Sequence, residues 1–138
     1  PLPGGGKLAL TEGLAVPGGL QGWHHDGQNW RPLVYRSTGR FKPTDLAALP
    51  GGAVMVLERR STMLGGPAAR LQIITEIRPG LALAGREIAT LTLPLTVDNM
   101  EGLAVVANSR GLAVYLLSDD NFFPLQRTLL MKFELAWP

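Results

Sequence analysis

The feature that most restricts the fold of this chain is a short motif that recurs with a similar sequel. Thr11-Glu12-Gly13-Leu14-Ala15-Val16 returns as Met100-Glu101-Gly102-Leu103-Ala104-Val105, and more weakly as Thr44-Asp45-Leu46-Ala47-Ala48-Leu49. After the copies at 44 and 100 the same events follow. A turn comes first (Pro50-Gly51-Gly52, or Asn108-Ser109-Arg110-Gly111). An apolar run ending in polar residues is next (Val54 to Arg60, or Val114 to Asp120). A loop and a further strand-like stretch complete the unit, at Arg70 to Ile77 or Arg127 to Leu135. Short antiparallel strands repeated at this length are the signature of a propeller-like stack. The expected fold is therefore all-β, a single domain over 1–138 with repeat units at about 7–42, 43–97 and 98–138. About three such units fall short of the smallest closed ring, which takes four blades, so the expected ring is incomplete. A non-repeating β-sandwich is the alternative.

Local patterns agree with strands. Ala53 to Leu57 and Leu112 to Leu117 are continuous apolar runs, as in strands covered on both faces. Glu87 to Leu93 and Thr128 to Leu135 alternate apolar with polar residues, as half-buried strands do. Leu71 to Ile77 and Arg31 to Thr38 are further strands by composition. Thr44 to Leu49 is the one helix-like stretch, with a cap available at Thr44 or Asp45, but it reads better as strand. With 17 Gly and 11 Pro spread between these segments, the chain is punctuated by turns.

Composition removes several classes of function. Cysteine is absent, which excludes disulfides and thiolate metal sites. A net charge of +2 with scattered basic residues does not make a nucleic-acid surface. No apolar run reaches the length of a membrane-spanning helix. The sequence starts at Pro1 without a signal-peptide pattern, so a processed product or a piece of a longer protein is expected. There is no Gly-x-Ser-x-Gly elbow and no phosphate-cradling glycine loop; Gly4-Gly5-Gly6-Lys7 lacks the spacing.

The candidate chemistry is acidic. In a radial repeat, equivalent residues converge near the axis, so Glu12 and Glu101 are expected to face one space with Asp45 nearby. Clustered carboxylates repel unless a cation neutralises them. That makes Glu12, Glu101, Asp119 and Asn121 candidate oxygen ligands for Ca²⁺ or Mg²⁺. The competing reading has each acid fixing a turn through backbone N–H groups. Asp119-Asp120-Asn121, with Asp98 and Asn99, is the densest oxygen cluster, and Asp119, Asp120 and Glu101 are the candidate catalytic acids or bases. Arg59, beside Glu58 and Arg60, and Arg127 are candidate binders of a substrate phosphate; structural ion pairs are the alternative. His24-His25-Asp26, flanked by Gly22 and Gly27, is expected in a solvated loop.

Glu101-Gly102-Leu103-Ala104, followed by Leu116 to Phe122 and Gln126-Arg127-Thr128, resembles the C-terminal signature of the phytase-like family (esterase-like activity of phytase). Leu57-Glu58-Arg59 resembles that family's mid-domain strand ending. The likeness spans about 11–135 and is densest over 98–135. It implies a propeller-like fold, an exported (periplasmic or secreted) location, and an esterase or phosphodiesterase activity. The functional expectation is a metal-assisted hydrolase of phosphoric or carboxylic esters acting on a small-molecule substrate. The alternative is a non-enzymatic binding or scaffold propeller. Self-association through open sheet edges is a further expectation.

Overall fold

A computed structural model of the chain describes residues 1–2, 5–78 and 80–137. Eleven strands and a single 3-10 turn at Pro50–Gly52 make up the regular structure of these residues. The first sheet, A, contains β1 (Lys7–Val16), β2 (Gly19–His25), β3 (Trp30–Arg36) and the short β7 (Leu83–Ala84), in the order β1-β2-β3-β7. Sheet B contains β4 (Lys42–Ala48), β5 (Val54–Thr62), β6 (Gly66–Ile74) and β8 (Arg86–Thr92), in chain order. Sheet C contains β9 (Met100–Asn108), β10 (Gly111–Ser118) and β11 (Leu130–Leu135), with β10 central. Every pairing is antiparallel except β3–β7, where Tyr35 and Arg36 run parallel to Leu83 and Ala84. The fold is all-β.

The three sheets stack with B in the middle. Successive side chains on a strand point to opposite faces, and β5 shows what this does. Val54 and Val56 pack with Leu33, Tyr35, Ile74 and Leu83 in a core shared with sheet A. Met55 and Leu57 pack with Leu71, Leu103, Leu112 and Leu116 in a core shared with sheet C. Both faces of β5 are thus covered, which is why its sequence is a continuous apolar run and not an alternating one. Full burial of side chains of this size contributes about 1.5–3 kcal/mol each. β10 lies in an outer layer and alternates: Leu112, Val114 and Leu116 face the core, while Tyr115 and Leu117 do not.

β4, the first strand of sheet B, lies against the first strands of the other two sheets, β1 and β9. This side-by-side order is compatible with a propeller-like stack. Thr44 Oγ1 donates to the Met100 carbonyl at 3.1 Å, and Asp45 Oδ2 accepts from the Leu103 N–H at 2.7 Å. Side chains of β4 therefore bond the backbone of β9, and sheets B and C are clasped at their inner edges.

Three local expectations are corrected. The Glu-Gly-Leu-Ala quartets lie within β1 and β9, not in turns before strands. Both segments pair irregularly: the β1–β2 register shifts between Leu10 and Ala15, and the β9–β10 register shifts at Glu101. Neither motif glycine has left-handed backbone. A Cβ on Gly102 would approach the Leu117 Cβ at 3.3 Å, whereas one on Gly13 meets nothing closer than 4.0 Å. His24 and His25 end β2 and are not in a loop, because pairing with β3 continues to His25–Trp30. Glu58, Arg59 and Arg60 lie inside β5, which pairs with β6 as far as Thr62. Thr44 to Ala48 is extended, as its strand reading required.

Candidate functional site

The inner edges of the three sheets meet at a half-exposed charged cluster. Glu12 comes from β1, Glu101 from β9 and Arg59 from β5. The Arg59 guanidinium lies between the two acids, with Nη2 2.7 Å from Glu12 Oε1 and Nε 3.2 Å from Glu101 Oε1. The second contact lacks hydrogen-bond alignment and is an ion pair only. Asn99 extends the cluster, its side-chain amide donating to Glu101 Oε1 at 2.9 Å and to the Asp119 carbonyl at 3.4 Å. Both contacts to Glu101 fall on Oε1; among the described residues Oε2 accepts no hydrogen bond.

Glu12, Glu101, Arg59 and the start of the 119–121 segment are therefore neighbours. The carboxylates of that segment are engaged locally. Asp119 Oδ1 accepts from the Asn121 N–H, and Asp120 Oδ1 from the Phe122 N–H, each at 2.9 Å. These are side-chain turns of the kind Asp makes two residues ahead of itself. They support Asn121 and Phe122, whose φ angles of 49° and 55° are left-handed. Asp120 Oδ2 accepts from Thr128, and Asn121 donates to Gln126. Arg127 lies apart from Arg59: its backbone N–H and its side chain both reach the buried Asp98 carboxylate, at 3.2 and 3.5 Å.

The candidate cation ligands are thus not arranged around a common vacancy. Arg59 supplies the positive charge between Glu12 and Glu101, and Asp119 Oδ1 holds a backbone N–H. Among the described residues no three Asp, Glu or His side chains are grouped closely enough to hold a metal ion. With Arg59 in place, this donor set does not fit Ca²⁺ or Mg²⁺, which take six or more oxygen ligands.

A second charged cluster is buried between sheets A and B. Glu58 is fully buried and accepts from Tyr35 Oη at 3.0 Å, Ser37 Oγ at 2.5 Å, Arg70 Nε at 2.6 Å and Gln72 Nε2 at 2.7 Å. Arg70 also donates to the Thr38 hydroxyl and carbonyl, and its guanidinium lies 4.2 Å from the centre of the Phe41 ring. Burial, followed by the Glu58 charge, pushes the Tyr35 hydroxyl well above its ordinary range. Sequence reading singled out Glu58 only as a neighbour of Arg59. The signal it lacked was Arg70 and Gln72 at alternate positions of an otherwise apolar β6.

The histidines do not form a site with these acids. His25 packs its ring 5.0 Å from that of Trp30, and its Nδ1 accepts from the Gly27 N–H. Asp26 accepts from the Asn29 and Gln28 N–H groups and from Arg31, which together hold its carboxyl well below the usual range. The segment is a capped turn.

Comparison with known families places the chain. The family model described as "Phytase-like: Esterase-like activity of phytase" matches residues 15–122. The chain belongs to the phytase-like family. The match covers the second motif copy, the Arg59 cluster apart from Glu12, and the 119–122 turn. It suggests an esterase-like, hydrolytic function for this phytase-like chain. No curated protein and no solved structure matches it. No helix among the described residues is long and apolar enough to cross a membrane.

Proposed function

We propose that this phytase-like chain contributes the acid-lined mouth of an ester hydrolase. The observation carrying this reading is that acids from two repeated motifs reach one arginine within a chain of an esterase-like family. Glu101 is fixed through Oε1 by Arg59 and Asn99, which leaves Oε2 for a water or a substrate proton. A carboxylate held in this way is suited to general-base work on an attacking water. The Arg59 guanidinium has further N–H groups for an ester or phosphoryl oxygen. Asp119 acts through the position of its backbone, which Asn99 ties to Glu101. A role for Ca²⁺ or Mg²⁺ belongs to the proposal only as an ion that displaces Arg59 from the two acids. An exported location is also proposed, on the family resemblance alone; finding the intact protein in the cytoplasmic fraction would refute it.

The test is turnover of a generic phosphodiester and a generic carboxylic ester by the intact protein, with Ca²⁺, with Mg²⁺ and with chelator. The expected result is activity on at least one ester that falls about 10²-fold or more in Glu101→Gln, the range of a lost general base. No turnover of either ester, or full activity in Glu101→Gln, rejects the reading.

One observation favours a second reading, that of a non-enzymatic scaffold. Asp119, Asp120 and Asp98 each bond backbone N–H groups, and Glu12 is paired to Arg59. Under that reading Ca²⁺ leaves the melting temperature unchanged, because an ion that binds only the native state must raise it.

A further inference from the structure

The two ends of sheet B differ in the residues that turn the chain. At one end β4 and β5 are joined through Pro50-Gly51-Gly52, with Leu49 and Ala53 buried on either side. The other end is the one where Lys42 pairs with Arg59 and Thr62 with Gly66. Its connections hold large apolar side chains in the open. Met63 and Leu64, in the β5–β6 turn, are fully exposed, and Leu93 and Leu95, which follow β8, are each more than half exposed. The two connections are neighbours, since a Cβ on Gly66 would approach the Leu93 side chain at 3.0 Å. Both are internal connections, bounded by paired strands.

The same end is basic. Residues 37–44, 59–75 and 88–97 contain Arg40, Lys42, Arg59, Arg60 and Arg70 and no Asp or Glu. Arg59 is neutralised by Glu12 and Glu101, and Arg70 by Glu58. Among the described residues Arg40, Lys42 and Arg60 make no ion pair. Arg60 is nevertheless fixed in place. Its guanidinium lies 4.6 Å from the centre of the Phe41 ring, and its Nη1 donates to the Gly39 carbonyl at 3.3 Å. Arg70 lies against the same ring at 4.2 Å, so Arg60 stands near a second cation without an anion of its own. Its Nε has no hydrogen-bond partner among the described residues.

Apolar tips in front of unpaired cations match a lipid–water boundary. Arg60 precedes Met63 by about 10 Å of extended chain. Apolar side chains of surface-bound proteins enter the headgroup boundary to a depth of about 5–10 Å. With the tips at the acyl chains, the cations therefore stand at the level of the phosphates. A second copy of this end would instead bring like charges together. We propose that this end of sheet B docks on an anionic lipid surface. Met63, Leu64, Leu93 and Leu95 enter the boundary, and Arg40, Lys42 and Arg60 meet the phosphate groups. The exposed Phe122 and Leu125 of sheet C rise from Asp119 and Asp120 and lie outside this surface. Arg59 is the neighbour of Arg60 in β5, so docking brings the open cluster to the lipid; the docking itself needs no turnover there.

The chain is sedimented with vesicles of phosphatidylglycerol and phosphatidylcholine in equal parts, and with vesicles of phosphatidylcholine alone. Binding is expected to be at least about tenfold stronger on the anionic vesicles. Arg40→Gln and Lys42→Gln should each weaken it about fivefold, the effect of one cation near such a surface. Joint Leu64→Ser and Leu93→Ser substitution should weaken it at least about tenfold with the near-ultraviolet circular dichroism unchanged, because both side chains are exposed. Insertion is read separately in two single variants. Leu64→Trp should gain fluorescence that lipids brominated on their acyl chains quench. Ser109→Trp, in the turn at the other end of sheet C, should gain fluorescence that they do not quench. Equal or absent binding on the two kinds of vesicle, equal quenching of the two tryptophans, or full binding without Leu64 and Leu93 would each overturn the proposal.

Discussion

Glu58 and Arg59 are consecutive residues of one strand, and they serve two clusters of opposite character. Glu58 points toward sheet A and is fully buried with four donors around it. Arg59 points the other way and is about a third exposed between two acids that are themselves half-exposed. Both clusters contain an arginine and a carboxylate and unite different sheets, the buried one through Tyr35 of sheet A and the open one through Arg59. Their physics differs because solvent screens one and not the other. In the buried cluster every partner is needed, since a charge left alone there has no water to replace the one it lost. In the open cluster water can replace any partner, so the same residue types are available to a substrate. A strand with a side-chain period of two places a structural site and a candidate functional site on neighbouring residues.

The largest effect that would break this contrast is expected from Glu58→Gln. It keeps the shape but leaves the buried Arg70 charge only its longer ion pair to the exposed Glu87, 3.7 Å away, and should cost about 3 kcal/mol in urea unfolding. A cost below about 1 kcal/mol would show that the buried cluster is as replaceable as a surface pair. Asp45→Ala should cost about 1.5–3 kcal/mol, because the charge-assisted bond to the Leu103 N–H that clasps sheets B and C is lost.

Tyr35→Phe comes next, at about 1 kcal/mol for the lost hydrogen bond to Glu58, and it adds a pH signature. The folded hydroxyl is raised above the ordinary tyrosine value of about 10, chiefly by burial. Its contribution is therefore complete below pH 10 and lost as pH rises above it, where the unfolded chain ionises first. Stability measured from pH 8 to 11 should fall more steeply in the parent chain than in Tyr35→Phe. Parallel slopes would remove Tyr35 from the buried cluster.

The smallest effect is expected from Arg59→Met, under about 1 kcal/mol, because both of its ion pairs are open to solvent. Adding 1 M salt should shrink that difference while leaving the Glu58→Gln cost nearly unchanged. If Arg59→Met costs more than Asp45→Ala, the open cluster is a structural joint and the proposed site loses its basis.

Much of this architecture was legible in the residues. Val54 to Leu57 could be read as a doubly covered strand from its consecutive apolar side chains, but the same reading of Leu112 to Leu117 is corrected: β10 lies in an outer layer, and its Tyr115 and Leu117 do not face the core. Leu129 to Leu135 alternates, and β11 is an outer strand with one face toward the core. The residues around Glu101 and from Leu116 to Thr128 pointed to the phytase-like family, which the family match over 15–122 bears out. Strand identity, turn positions and family are encoded locally, in hydrophobic period, glycine and proline placement, and short signatures.

Which groups meet was decided only by the tertiary structure. Nothing near position 59 in the sequence says that its arginine will separate Glu12 from Glu101, because those acids lie on strands of two other sheets. Nothing near Glu58 says that Arg70, Gln72, Tyr35 and Ser37 will enclose it. The turn roles of Asp119 and Asp120 were open for the same reason: an aspartate's bond to the backbone two residues on looks no different in sequence from a ligand set. Local patterns determined which segments are strands; the stacking of the three sheets determined which side chains share a space, and hence which charge neutralises which.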